Sequence, residues 1–103
     1  DDRARVAKML ANSGLIVTAR RDGELVGVAR TLSDFAWASY LADLAVASRC
    51  KGQGIGRALI AETRARIGPG SMLLLIAAPA AQSYYDHIDM PRSDSAFMYP
   101  REG

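Results

Sequence analysis

Three glycines alternate within Lys51-Gly52-Gln53-Gly54-Ile55-Gly56-Arg57, and a cation stands at each end of the run. Glycine lets a backbone approach a ligand closely. The amides that open a helix have no intrahelical acceptor, and the helix dipole favours negative charge at that end. A strand running through these glycines into a helix therefore makes a cradle for a phosphate-like anion, with Lys51 and Arg57 as countercharge. Taken alone, alternating glycines are more often a tight turn, so the flanking elements decide. Two commoner nucleotide loops are excluded by spacing: a Gly-Lys-Ser/Thr ending is absent, and Gly52-x-Gly54-x-Gly56 is one residue short of the dinucleotide fingerprint.

The flanks supply both elements. Residues 37–46 read as a strand, with Tyr40, Ala42, Leu44 and Val46 on one face and Leu41, Asp43 and Ala45 on the other. Residues 54–67 place Ile55, Ala58, Leu59, Ala61 and Ala65 at helical spacing. Upstream, residues 2–11 predict a short helix stopped by Asn12-Ser13-Gly14, and the β-prone runs 15–19 and 25–29 flank Asp22-Gly23, a turn that needs positive φ. Downstream, Gly68-Pro69-Gly70 breaks the chain before the apolar run 72–77, which suits a central strand. Pro79 then opens a helix over 79–87 that carries Tyr84, Tyr85 and His87, and a final strand is expected over 96–99. The order αββ, βα, βα, β predicts a mixed α/β layer with helices on both faces of the sheet.

With 103 residues, half of them hydrophobic, the chain suits one folded domain over 1–103 and is too apolar for intrinsic disorder. A net charge of +2 spread along the chain leaves no nucleic-acid footprint. The single Cys50 makes no internal disulfide, and the lone His87 has no cysteine or histidine at zinc spacing, so a reducing compartment and no structural metal are expected. No apolar run approaches the length of a membrane span and no signal-peptide pattern opens the chain, so a cytoplasmic protein is expected. The opening Asp1-Asp2-Arg3, acidic, helix-like and without Met, fits a fragment whose earlier residues lie outside the sequence.

The glycine run resembles the pyrophosphate motif of the GNAT superfamily of N-acetyltransferases, (Gln/Arg)-x-x-Gly-x-(Gly/Ala), with Lys51, Gly54 and Gly56 at the three positions. Lys51 is a conservative departure at the first. The likeness extends over roughly 15–99: Asp43-Leu44-Ala45-Val46 looks like that family's splayed strand, Arg57-Ala58-Leu59-Ile60 like its helix, and Tyr84-Tyr85 stands where Phe-Tyr would be. Asp89-Met90 replaces the family's Gly-Phe. The resemblance implies an α/β GNAT fold with a mixed, mostly antiparallel sheet and a shortened or missing N-terminal strand and helix. It also implies acetyl-CoA as co-substrate, no metal, and transfer of the acetyl group by direct attack of a primary amine of a small molecule, peptide or protein. It assigns Leu44, Ala45, Val46, Lys51, Gly52, Gln53, Gly54, Ile55, Gly56 and Arg57 to the coenzyme.

By the same match Tyr85 is the general acid that protonates the departing thiolate, a role suited to a phenol. Asp43 is a candidate base, against a bland reading as a solvated or capping carboxylate. Tyr84 and Tyr85 could equally be core and half-buried surface residues, and His87 and Cys50 receive no catalytic role. The acceptor is expected near loops 31–38 and 90–94, where Phe35, Trp37 and Arg92 stand out, although packing under the sheet edge is the expected use of Trp37. Neither nucleic acid nor membrane is an expected partner; a homodimer is compatible with the reading. The rival reading is a sensor or regulatory module that binds acyl-CoA without turnover.

Overall fold

Asp22 and Gly23 both adopt positive φ, 52° and 79°, giving the turn whose twist matches that of paired strands. It closes a hairpin between β1 (Leu15–Arg21) and β2 (Glu24–Ser33), with Arg21 opposite Glu24. The computed structural model describes residues 2–102. An N-terminal helix, α1 (Asp2–Ala11), precedes the hairpin and contributes no buried residue. Strand β3 (Ala38–Val46) pairs antiparallel with β2, and β4 (Met72–Leu74) pairs parallel with β3. The sheet is mixed and mostly antiparallel, in the order β1-β2-β3-β4.

Helix α2 (Ile55–Ile67) buries Leu59, Ile60, Thr63 and Ile67, a stripe at helical spacing. Against it lie Ala29 and Leu41 of the sheet, the buried centre of the core. Gly27 permits this close approach: a Cβ there would stand 3.0 Å from both Ile55 Cγ2 and Leu59 Cδ1. The pairing puts Arg30 and Asp43 on the opposite face, where Arg30 also reaches the Ser13 hydroxyl just beyond α1 at 3.2 Å.

Strand β3 departs from simple alternation. Arg30 pairs with Asp43 but Thr31 with Leu41, so Ala42 is an extra residue, a β-bulge. The bulge reverses the phase of the strand, and Leu41 joins Leu44 and Val46 against α2 instead of opposing them as unbroken alternation predicts. Tyr40 is correspondingly turned out, 37% exposed.

Three further expectations need correction. The apolar run 72–77 is an edge strand, and it leaves the ladder after Leu74. Residues 79–87 split into a 3₁₀ turn, Pro79–Ala81, and a short helix, α3 (Gln82–His87). No strand forms over 96–99: Phe97 and Tyr99 are fully exposed, and the run that would have offered them an edge has already departed from the sheet. Among the described residues no helix is long and apolar enough to cross a membrane.

Candidate functional site

The site begins where two strands part. Parallel pairing of β3 with β4 covers Ala38 to Tyr40 against Met72 to Leu74 and then stops, while β3 stays paired to β2 as far as Val46. The outer edge of β3 is thus opened over its second half. The chain is anchored at Ala47, whose amide donates to the Val26 carbonyl at 2.8 Å, and passes through a 3₁₀ turn, Ser48–Cys50, into the glycine loop.

Gly52 and Gly54 have φ of 81° and 82°, a left-handed conformation that side chains resist, and Gly54 caps α2. No side chain caps that end. The first intrahelical bond runs from the Ala58 amide to the Gly54 carbonyl at 3.0 Å, so the Ile55, Gly56 and Arg57 amides come before it. Nothing lies within 4 Å of where a Cβ on Gly52 or Gly54 would stand. Uncapped amides, an open approach and the exposed Lys51 and Arg57 together suit an anion of phosphate type.

A cleft of about 660 Å³ runs from the open edge of β3 past this loop to α3. Leu44, Ala45, Val46, Lys51, Gly52, Gly54, Ile55, Gly56, Arg57 and Tyr85 all line it. Two candidates do not. Gln53 is exposed, its amide donating toward the Arg49 carbonyl at 3.5 Å. Asp43 lies on the far face of the sheet, its carboxylate bound to the Arg30 guanidinium at 2.5 Å.

Sequence reasoning passed over Tyr84 and His87, which also line the cleft. Their spacing of three residues on one helical turn was the available signal. Tyr84 and Tyr85 meet edge to face with ring centroids 5.2 Å apart. Burial, and secondarily Tyr84, pushes the Tyr85 phenol above the ordinary tyrosine value, so it holds its proton firmly. Cys50 is buried in the cleft wall near Arg21, whose guanidinium lies 3.7 Å from Sγ. Among the described residues no cluster of His, Cys, Asp or Glu is suited to hold a metal.

A second groove of about 430 Å³ is lined by apolar residues including Leu73, Leu75 and Met98, and by Asp86 and Arg92. Tyr85 lines both cavities. Arg92 donates twice to Asp86, at 2.8 and 2.6 Å, and holds that carboxyl below its usual range. Asp89, at the glycine position of the resembled motif, takes the left-handed turn with φ of 61°. In the loop before β3, Asp34 Oδ1 accepts from the Trp37, Ala36 and Ala38 amides, which lowers its pKa. Trp37 itself is 78% exposed and does not pack under the sheet edge.

The family profile described as acetyltransferase (GNAT) domain matches residues 2–97. No curated protein matches the chain. A GNAT-family acetyltransferase from Streptococcus pneumoniae superposes with a TM-score of 0.76 at 20% identity, covering 96% of this chain and 80% of that one. A GNAT-family protein from Xanthomonas campestris gives 0.77 at 25% identity, covering 96% and 71%. An aminoglycoside N-acetyltransferase in complex with CoA gives 0.71 at 16% identity, covering 99% and 87%. With the profile spanning nearly all of it, the chain belongs to the GNAT acetyltransferase family.

Proposed function

We propose that the chain is an N-acyltransferase that transfers the acetyl group of acetyl-CoA to a primary amine. One observation carries the reading: the cleft joins the opened edge of β3, the uncapped start of α2 and the Tyr85 phenol in a single continuous space. The diphosphate of the coenzyme would lie on the loop from Lys51 to Arg57. Its pantetheine arm would run along Leu44, Ala45 and Val46, using backbone groups that β4 no longer satisfies. The family membership and the structural neighbour bound to CoA support this choice of donor.

In the proposed reaction the amine nitrogen attacks the thioester carbonyl carbon, the C–S bond breaks with its electron pair going to sulfur, and the Tyr85 proton passes to that sulfur. The amine gives up its own proton as the amide forms, and that proton restores the Tyr85 phenol. The rate gain comes mainly from proximity and orientation of two reactants. A firmly protonated phenol is the right form for an acid. Because Tyr85 also faces the second groove, that groove offers the amine a path to the same point. A cytoplasmic setting goes with this reading, since free Cys50 suits a reducing compartment.

A second reading, an acyl-CoA-binding module without turnover, is favoured by one fact: the expected base, Asp43, is tied to Arg30 away from the cleft. Calorimetric titration with acetyl-CoA tests what both readings share. Micromolar binding that disappears in Gly54→Trp is the expected result; no binding by the folded parent protein sinks both. Turnover of an amine panel then separates enzyme from sensor.

A further inference from the structure

We infer that Tyr84 is a coenzyme-binding residue whose hydroxyl donates to the diphosphate held at the start of α2, an inference that rests on the acetyl-CoA reading above. The phenol of Tyr84 reaches from α3 back to α2. A Cβ built on Gly56 would come within 2.1 Å of Tyr84 Oη and 3.1 Å of Cζ, so the hydroxyl occupies the place where any other residue at position 56 would put its side chain. Gly56 is the second residue of α2, inside the uncapped first turn.

The Tyr84 hydroxyl has no hydrogen-bond partner among the described residues. The neighbouring helix-start amides, likewise, are donors without intrahelical acceptors. A ligand seated among them must therefore accept from several directions at once, which a diphosphate does and a neutral amide or thioether does not. Half-exposed, Tyr84 keeps its oxygen within reach of the cleft it lines. Its ring stands against that of Tyr85 at an interplanar angle of 77°. The residue that grips the diphosphate is thus in contact with the one proposed to protonate the sulfur.

Pantetheine, which has no phosphate, and CoA, which carries the diphosphate, separate this role from ring packing. NMR chemical-shift titrations read the dissociation constants of both, down to weak millimolar binding. In Tyr84→Phe the CoA constant should rise about tenfold, the loss of one hydrogen bond to a charged acceptor, while the pantetheine constant moves by less than about twofold. Gly56→Ala, which pushes the hydroxyl aside, should weaken CoA comparably, and the double variant should be no worse than either single one. Equal weakening of both ligands in Tyr84→Phe would assign the residue to packing alone and overturn the inference. So would an unchanged CoA constant. A parent protein that binds no CoA is a different result, removing the acetyl-CoA reading itself.

Discussion

Arg30 reaches directly across the β2–β3 pair and donates from Nε to Asp43 Oδ2 at 2.5 Å. The Arg30 side chain is only 12% exposed, whereas that of Asp43 is 53% exposed. Removing the carboxylate strands a largely buried guanidinium, but solvent screening at Asp43 limits the cost. Asp43→Ala should therefore lower stability by about 1 kcal/mol. A urea titration checks this: the midpoint should fall without a change in slope, and Arg30→Ala/Asp43→Ala should lose less than the sum of the singles.

Tyr85→Phe removes the proposed proton donor and keeps the ring. Turnover should fall about a hundredfold while acetyl-CoA affinity stays within about twofold. Proton linkage gives a separate check. The Tyr85 pKa is raised in the fold, mainly by burial, so the folded state binds this proton more tightly than the unfolded chain. The resulting stability is complete below the unfolded value near 10 and is lost as pH rises through the higher folded value. Urea midpoints measured from pH 9 upward should fall less steeply in Tyr85→Phe than in the parent.

Gly27→Ala tests the contact between sheet and helix. Its Cβ would press on Ile55 and Leu59 at 3.0 Å, tighter than ordinary packing. The variant should lose about 1–2 kcal/mol, since an overfilled interface must shift. Because Ile55 begins α2, acetyl-CoA affinity should decline with it, as read by calorimetry.

Phe97→Ser is expected to change stability by less than about 0.5 kcal/mol, because the ring is 98% exposed. A loss beyond about 2 kcal/mol in thermal unfolding would mean that this segment packs as a strand after all.

The strongly local features were legible in the sequence. Asp22-Gly23 specifies its hairpin turn through φ alone, and the break at Gly68-Pro69-Gly70 and the stripe along α2 depend only on nearby residues. The glycine loop could be placed because its spacing and flanks occur together. What escaped depends on neighbours distant in the chain. The bulge at Ala42 shows only when β2 and β3 are set in register. Whether 96–99 forms a strand turns on an available edge, not on its own apolar residues. Tyr84 meets Gly56 through tertiary packing across twenty-eight positions, a contact that no motif encodes. Asp43 differs: alternation already set it opposite Leu44 and Val46, and only its Arg30 partner across the strand pair was out of view.

The extra residue in β3 makes the strand's length negotiable at one point. A swap at Ala42 for another small residue leaves the alternation intact on either side. Deleting Ala42 would leave Leu41 and Leu44 two positions apart, on one face by plain alternation, so both stay in the core with Val46 while the bulge itself is lost. Single-residue deletions in natural variants of this strand should accordingly fall at the bulge sooner than elsewhere along it.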